Sequence, residues 1–319
     1  MKKPRFSITI PAFKSAFLIE CIESILAQTL SDFELIIVND NSPEDLDKII
    51  NQFSDSRIHY YKNSIGFGAC DVSKNWDKCL SLSQGDYFMC LGDDDKLLPD
   101  CLEKYQRLIE SYPELNVYHA GTQLINEHSD IIDLQESRPV RESSYSMIWH
   151  RWFNARKTYI GDFIFKTDAL KKMGGFIWVP YAWGSDEQTV YQIAANNGIA
   201  NMQGYGFQYR VHGLSISGLP TFYKEKAEAY RMAKEWYREF LQEKPTDPSD
   251  QIFWTFLRNG LDWYFSDCYK SMVKKDFRDN HLQNLFYWFK HRKQYQLTQK
   301  DIWFHLLLGI KQRVKARQR

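Results

Sequence analysis

The chain of 319 residues is long enough for one large domain, or for a domain with an appendage. Its 41 basic and 40 acidic residues nearly cancel, which argues against a general attraction to nucleic acid. Its six cysteines include no C-x-x-C pair, which argues against a disulfide framework or a zinc site and favours a reducing compartment.

Neither end of the sequence has the pattern of a signal peptide or of a membrane span. The first residues lead directly into a strand pattern, without an apolar signal region. The longest apolar run near the other end, 302–310, is interrupted by His305 and is too short to cross a bilayer. We therefore expect a soluble or peripheral protein, in the cytoplasm or at the inner face of the plasma membrane.

Short apolar strands alternate with helical patterns along the first two thirds of the chain. Strands are predicted at 6–11, 33–38, 58–61, 87–91, 116–125, 159–165 and 208–212. Helices are predicted at 16–28, from after Pro43 to about 53, at 72–82, after Pro99 and at about 185–196. The polar stretch 127–142 is expected to be an irregular loop over the site. This alternation predicts an α/β fold with a mostly parallel sheet and helices on both faces.

The composition changes near Thr221. The remainder is helical in pattern and rich in Trp, Tyr, Phe, Lys and Arg. We therefore expect a catalytic domain over residues 1–217 and a helical C-terminal region over 218–319.

Three consecutive carboxylates, Asp93, Asp94 and Asp95, lie between the strand at 87–91 and the helix that Pro99 opens. Two unit charges about 5 Å apart repel each other by roughly 3 kcal/mol at an effective dielectric of about 20. A divalent-metal site for a phosphorylated ligand would relieve that repulsion. The alternative is a solvated turn whose acids cap the next helix.

Acidic residues also follow a second strand of the predicted sheet. Ligands of parallel sheets bind outside the carboxyl ends of the strands, where both Asp40 and the aspartate triplet (Asp93, Asp94 and Asp95) fall. The turn after the first strand lacks G-x-G-x-x-G, and the chain contains no G-x-x-x-x-G-K-S/T. A nucleotide bound here would therefore be held through carboxylates and a metal.

Several short motifs occur in a fixed order over roughly the first 217 residues. They are Ser7-Ile-Thr-Ile-Pro11, Ser24-Ile-Leu-Ala-Gln28, Ile36-Ile-Val-Asn-Asp40, Gly85-Asp-Tyr87, Asp93-Asp-Asp95, Leu98-Pro99-Asp100, Gly174-Gly175-Phe176, Asp186-Glu187 and Arg210-x-His212-x-x-Ser215-x-Ser217. In order and spacing the chain resembles family 2 glycosyltransferases of the GT-A fold, of the bacterial cell-surface polysaccharide type.

The resemblance implies transfer of a sugar from a nucleoside-diphosphate donor, a UDP-sugar first of all, usually with inversion of configuration. The acceptor would be a hydroxyl of a glycan or of a polyprenyl-linked molecule, and the cofactor Mn²⁺ or Mg²⁺. The family's processive Q-x-x-R-W motif is missing, which favours the addition of single sugars over polymer synthesis. No nucleic-acid partner is expected.

The resemblance also assigns roles to individual residues. It implies metal ligands at Asp94, Asp95 and His212, a catalytic base at Asp186, and substrate contacts by Pro11, Asp40, Lys74, Asp93, Arg210 and Trp183. The family often has D-x-D-D where this chain has Gly92-Asp93-Asp94-Asp95. Aligning Pro99-Asp100 places the metal-binding carboxylate at Asp94, whereas a literal D-x-D would use Asp93 and Asp95.

Each assignment has a structural alternative. Asp40 could form a turn, Lys74 could lie on a solvated helix face, and His212 could be structural. Ser185-x-x-Gln188 matches a capping box, which alone would explain Asp186 and Glu187. The aromatic residues Trp178, Tyr181 and Trp183 could stack on an acceptor sugar or pack a cleft wall. At the level of function, the alternatives are a sugar nucleotidyltransferase and a non-catalytic protein that binds partners through its aromatic helices.

The stretch from Tyr287 to Arg319 combines aromatic and aliphatic residues with many cations and a single acid, Asp301. Helices of this composition lie in bilayer interfaces, and each cation near an anionic surface contributes about 1 kcal/mol. We expect this region to dock on a membrane that carries the acceptor. The alternative is packing of the aromatics within the helical region, with a solvated basic tail.

Overall fold

The computed structural model describes residues 3–213, 222–280 and 282–317. The chain divides into two compact units. The first comprises Met1–Trp178 and Ser185–His212, and the second comprises Val179–Gly184 and Gly213–Arg319. The boundary expected at residue 217 itself lies outside the described residues. The short segment 179–184 belongs to the second unit, which the sequence did not indicate.

The first unit is built on one sheet, with ten strands in the described ranges. They are β1 (Phe6–Ala12), β2 (Phe33–Asn39), β3 (Ile58–Lys62), β4 (Tyr87–Cys90), β5 (Lys96–Leu97), β6 (Val117–Ile125), β7 (Ile131–Leu134), β8 (Arg141–Glu142), β9 (Phe163–Lys166) and β10 (Ile199–Arg210). The main order is β3-β2-β1-β4-β9-β6-β10-β5, with β7 beside β6 and β8 beside β10. Strands β3, β2, β1 and β4 are parallel, as are β6 and β10, and β9 runs antiparallel between these groups.

Helices cover both faces of the sheet. They are α1 (Leu18–Leu26), α2 (Leu46–Ile50), α3 (Val72–Leu82), α4 (Cys101–Ser111), α5 (Ser144–Trp152), α6 (Thr167–Met173) and α7 (Ser185–Ile193). In β1, Ile8 and Ile10 point into a core shared with α1 and α4, because successive strand residues face opposite sides. Thr9 points to the other side, where Cys79 of α3 interacts with it. The predicted parallel sheet with two covered faces is confirmed.

The structure differs from the sequence prediction between residues 127 and 142. This stretch was expected to be an irregular loop, but Ile131–Leu134 forms strand β7, antiparallel to β6. The chain reverses direction between β6 and β7 in a turn, where Asn126 Oδ1 accepts hydrogen bonds from the backbone N–H groups of His128 and Asp130 (both 2.9 Å). All four β7 residues are exposed, so no alternation of apolar and polar residues marks the strand.

Strand β10 begins at Ile199 rather than near residue 208. Its pairing with β6 is irregular around Gly204, where a Cβ on Gly121 would come within 2.3 Å of the Gly204 carbonyl oxygen. Glycine in a strand pattern weakens the sequence signal and often marks a bulge, which is why the first half of β10 was missed.

The second unit contains the helices α8 (Tyr223–Phe240), α9 (Pro248–Asn280), α10 (Leu285–His291) and α11 (Gln299–Arg317). Helix α9 contacts α8 and α11, and Leu261 and Phe265 are among its buried residues. Gly309 allows α11 to approach α9 closely, because a Cβ at this position would lie 2.6 Å from the Lys274 carbonyl oxygen. Within the described residues, no helix has both the length and the apolar character that a membrane crossing requires.

Candidate active site

The aspartate triplet lies in the loop between β4 and β5, and its three side chains have different partners. Asp93 Oδ2 accepts the backbone N–H groups of Phe13 and Lys14 (both 2.7 Å). Asp95 Oδ1 accepts the backbone N–H of Arg210 (2.9 Å). Asp93 and Asp95 therefore fix the loop to the ends of β1 and β10. Lys14 Nζ also lies 3.8 Å from Asp93 Oδ1, but Asp94 has the closer contacts with basic side chains.

Asp94 lies between two basic side chains. Lys14 Nζ donates to Asp94 Oδ2 at 2.9 Å, and His212 Nε2 lies 2.7 Å from the same oxygen. Burial opposes ionisation of Asp94, but Lys14 and then His212 hold its pKa below the usual value of an aspartate. Burial, partly offset by Lys14, raises the pKa of Asp93. Burial and the Asp94 charge raise that of Asp95 well above its usual value.

Arg210 is almost completely buried and holds the loops around the triplet together. Its Nε donates to the Asp94 carbonyl oxygen (2.8 Å), and its Nη2 donates to Glu20 Oε2 (3.0 Å). Its Nη1 donates to the Asn126 carbonyl oxygen and to Ser129 Oγ (both 3.1 Å). The guanidinium group also lies 4.3 Å from the centre of the Phe17 ring.

Asp40 follows β2 at the same edge of the sheet as the triplet. Its carboxylate accepts from Asn63 Nδ2 (2.9 Å) and from the backbone N–H groups of Phe67 (2.9 Å) and Gly68 (3.1 Å). Asp40 therefore anchors the loop that leads to α3. Gly66 is required in this loop, since a Cβ there would lie 2.4 Å from the Asp40 carbonyl oxygen.

The structure also locates the other substrate contacts expected in the first unit. Pro11 lies in β1 opposite Val38 of β2, next to the turn that carries Lys14. Lys74 lies on α3 with a half-exposed side chain and pairs with Asp71 at 2.7 Å. The indole of Trp178 donates to the same carboxylate (2.7 Å).

Asp186 lies in the first turn of α7. Burial, and then the neighbouring carboxylates Glu187 and Asp162, raise its pKa to about 7. Glu187 has a cationic partner, because Arg151 Nε donates to its Oε1 at 2.6 Å. Ser185 Oγ donates to the Ile177 carbonyl oxygen (2.6 Å).

A small effect on Cys90 relates Asp186 to the triplet loop. Cys90 is the last residue of β4, and burial raises the pKa of its thiol well above the usual value. Asp186 makes one of the smaller contributions to that shift. The negative charge of Asp186 therefore acts weakly on the end of β4.

The site contains one residue that was not predicted from the sequence, and two predicted residues are not described by the structure. Lys14 was missed, although a lysine in the turn after the first strand lies where the strand ends of a parallel sheet meet. Ser215 and Ser217 lie outside the described residues. Trp183 belongs to the second unit and lies below Lys226, whose Nζ is 4.3 Å from the ring centre.

Comparison with known proteins supports a glycosyltransferase. The profile of Glycosyl transferase family 2 matches residues 7–174, more than half of the chain. An uncharacterized glycosyltransferase of Methanocaldococcus jannaschii is 31% identical over 178 residues, which are 54% of this chain and 59% of the relative. One of Haemophilus influenzae is 34% identical over 124 residues, 38% of this chain and 40% of the relative. The chain thus spans less than two thirds of the length of these curated relatives.

Solved structures show the same fold at low sequence identity. TarS 1-349 of S. aureus, solved in complex with UDP-GlcNAc, superposes with a TM-score of 0.63 at 13% identity, covering 98% of this chain and 92% of that one. A mannosyltransferase of Pyrobaculum calidifontis, in complex with GDP-Man and Mn²⁺, gives a TM-score of 0.53 at 12% identity, covering 98% and 88%.

The fold is that of a GT-A enzyme, with a helical C-terminal region. The chain belongs to glycosyl transferase family 2. The sugar nucleotidyltransferase and the non-catalytic binding protein, the two alternatives left open by the sequence, belong to other classes than the family whose profile matches.

Proposed function

We propose that this glycosyltransferase moves one sugar from a nucleoside-diphosphate donor to a hydroxyl of a glycan or lipid-linked acceptor, with inversion, in cell-surface polysaccharide synthesis. The observation that carries the proposal is the meeting of Asp94, Lys14 and His212 where the strands of the sheet end. The UDP-GlcNAc and GDP-Man complexes of the two structural neighbours support a nucleotide-sugar donor, and UDP-sugars are the first donors to test.

The described residues hold no group of three or more His, Cys, Asp or Glu side chains placed as metal ligands, but two ligand types that a divalent metal accepts meet at Asp94. A carboxylate oxygen and an imidazole nitrogen lie within 2.7 Å of each other, and both are ligand types that Mn²⁺ accepts. The carboxylate already stabilises one cation, the Lys14 ammonium group. We propose that Asp94 and His212 hold Mn²⁺ or Mg²⁺, with Asp95 as the third candidate. When bound, the ion would neutralise charge on the departing diphosphate.

Other residues of this loop prepare the site for an anionic donor. We propose that Lys14 turns from Asp94 toward a diphosphate oxygen when the donor binds, since a lysine is a suitable point charge for phosphate. Asp93 supports this movement by fixing the backbone of Lys14. Arg210 is proposed as a positioning residue that acts through the Asp94 carbonyl, because its guanidinium group is committed to protein partners.

Asp186 is proposed as the general base that takes the proton from the acceptor hydroxyl. A base works best when its pKa lies near the working pH, and the pKa of Asp186 is raised to about 7. Glu187 is the weaker candidate because its carboxylate is neutralised by Arg151.

The remaining assignments concern the nucleotide and the acceptor. Asp40 would accept an N–H of the donor base, since a carboxylate has about four acceptor positions and three protein donors occupy it here. Pro11 would line the same part of the site. Lys74 would reach the diphosphate only after leaving Asp71. Trp183 would stack on an acceptor sugar.

A lipid-linked acceptor requires access to a membrane surface, and the second unit offers a candidate face. One side of α11 packs inward through Ile302 and Leu306, while Trp303, Phe304 and Leu307 are exposed. Exposed lysines occur at 300 and 311 of the same helix and at 290 and 293 shortly before it in the chain. We propose that the apolar face of α11 enters the interface of an anionic leaflet and that these lysines bind its head groups.

The proposed reaction is tested with purified protein and a panel of UDP-, GDP- and dTDP-sugars in the presence of Mn²⁺. Slow donor hydrolysis should release the free nucleoside diphosphate from one member of the panel and stop in EDTA. Release that persists in EDTA would contradict the role of the metal. No release from any donor, with or without candidate glycan acceptors, would contradict the proposed reaction.

A further inference from the structure

The second unit contains a buried lysine without an acidic partner. Lys226 of α8 is only 2% exposed, and none of the described residues places a carboxylate within ion-pair distance of it. The neighbouring stretch 214–221 contains no acidic residue in its sequence. Burying an ammonium group is costly unless it is paired and hydrogen-bonded.

Lys234, two turns further along the same helix, shows how a buried lysine is normally satisfied. It is 3% exposed, and its Nζ contacts Asp262 Oδ1 and Gln296 Oε1, both at 2.6 Å. Instead of a carboxylate and an amide, Lys226 Nζ has two aromatic rings beside it, with ring centres 4.3 Å away for Trp183 and 5.8 Å away for Tyr223. Cation–π contacts replace only part of the lost hydration, so an anion bound beside Lys226 would stabilise its charge.

A second cation strengthens the field at this point. Burial, and then the positive charge of Lys275 on α9, lower the pKa of Lys226 to about 8. Lys275 is itself partly buried and has no ion pair within the described part of the chain. The nearby carboxylate of Asp279 is already shared by Arg278 and the Tyr223 hydroxyl. Asp279 offsets part of the charge on Lys275, but no carboxylate of the described residues forms an ion pair with either lysine.

The aromatic residues beside the lysines have an unusual backbone. Tyr181 and Phe222 stack at 4.2 Å, and both have positive φ angles, 59° and 63°. Ala182, next to Trp183, also has a positive φ of 48°. Backbone strain of this kind in non-glycine residues clusters at ligand sites. Trp183 is partly exposed, so a ligand can reach its ring.

We propose that Lys226, Lys275 and Trp183 form a binding site for a phosphate-bearing acceptor, with the phosphate on the lysines and a sugar ring on the indole. Two lysine cations match the charge of a phosphate dianion, and lysine binds phosphate as a point charge. Trp183 precedes Asp186 by three residues, so their Cα atoms are at most about 11 Å apart whatever the arrangement of the two units. The inference rests on the proposed function because it identifies the chemistry of the acceptor.

The test is calorimetric titration of glucose 1-phosphate into the full-length protein, with the donor site saturated by UDP and Mn²⁺. Wild-type protein should bind it, and Lys226→Met and Lys275→Met should each weaken binding at least about tenfold, the effect of losing 1.4 kcal/mol. Lys244→Met, at an exposed lysine of the same unit, serves as the control and should bind like wild type. Glucose and glucuronate are the uncharged and the carboxylate comparison ligands.

Equal binding by wild type and Lys226→Met would overturn the site, and tighter binding of glucuronate than of glucose 1-phosphate would overturn the phosphate assignment. If Lys226→Met does not fold, NMR of the ¹³C-methylated wild-type protein replaces it. The Lys226 signal, identified by its absence from Lys226→Arg, should shift with glucose 1-phosphate, and an unmoved signal would refute the site. Binding of glucose 1-phosphate without any donor turnover would support this site and contradict the proposed reaction. Donor turnover together with wild-type binding by Lys226→Met would support the reaction and contradict this site.

Discussion

His212 and Asp94 are 118 positions apart in the chain, yet His212 Nε2 lies 2.7 Å from Asp94 Oδ2. This contact joins the end of β10 to the loop that follows β4. It also brings an imidazole to the carboxylate that already holds Lys14. The proposed metal site is therefore a product of the sheet topology, with ligands from the middle and from the last residue of the first unit.

The pH dependence of turnover should identify the base. Because burial and neighbouring acids raise the pKa of Asp186 to about 7, the rate should rise about tenfold per pH unit below 7 and level off above it. Asp186→Asn should lower the rate by about 10²–10⁴-fold. The measurement is a pH series of nucleoside-diphosphate release for wild type and variant.

Glu187→Gln is the matched control and should retain most of the activity and the same pH profile. A large loss in Glu187→Gln alone would transfer the role to that residue. Stability gives an independent check, since a raised acid pKa means that the unfolded state binds fewer protons. As the pH rises from about 4 to 7, wild type should therefore lose stability relative to Asp186→Asn, which lacks this ionisation.

Gly92 is the position where this chain departs from the usual family pattern, and its missing side chain is needed. A Cβ there would lie 2.8 Å from Asp95 Oδ2 and 2.9 Å from Asp94 Oδ1. Overpacking of this kind typically costs about 1–3 kcal/mol, so Gly92→Ala should weaken binding of UDP with Mn²⁺ about tenfold. Calorimetry in Mn²⁺ measures this effect, and unchanged affinity would show that the two carboxylates are free to move.

The packing of α11 on α9 can be tested with two glycines. Gly309→Ala should destabilise the protein, since its Cβ would lie 2.6 Å from a backbone oxygen that cannot move freely. Gly260→Ala is the control, because no atom lies within 4 Å of its Cβ and alanine favours a helix by about 1 kcal/mol. Urea unfolding should give opposite signs for the two variants; the same sign would contradict the close approach of the two helices.

The apolar face of α11 should control membrane binding. Trp303→Ser combined with Leu307→Ser leaves the inward residues Ile302 and Leu306 in place and should reduce binding to anionic vesicles. Co-sedimentation with vesicles of 30% anionic lipid measures this, at low salt and again at higher salt. Equal binding by variant and wild type, or no binding by either, would contradict a membrane-binding role for this face.

The sequence predicted most of the sheet because strong local patterns specify it. β1, β2 and β4 are short apolar segments bounded by turns, and their acidic ends followed from the geometry of parallel sheets. Helix α5 was not predicted, and β7 was expected to be a loop. In β7 the pairing with β6 overrides a sequence that has no buried face.

The partners of site residues were harder to predict than their positions. Lys14 meets Asp94 across 80 positions, and no local pattern reveals such a contact. The commitment of Arg210 to protein partners depends on Glu20 and Ser129, which are brought to it by the fold. Segment 179–184 was assigned to the first domain by chain order, whereas the structure groups it with the helices of the second unit.

The most direct test of the account is calorimetric binding of UDP to wild type and to Asp94→Asn, each with Mn²⁺ and with EDTA. Asp133→Asn, on the exposed strand β7, is the control for the loss of one carboxylate. Wild type and Asp133→Asn should bind UDP at least about tenfold more tightly with Mn²⁺, and Asp94→Asn should bind equally weakly under both conditions. Equal affinity of wild type for UDP with Mn²⁺ and with EDTA, or metal-dependent binding of UDP by Asp94→Asn, would contradict the proposed metal site at Asp94.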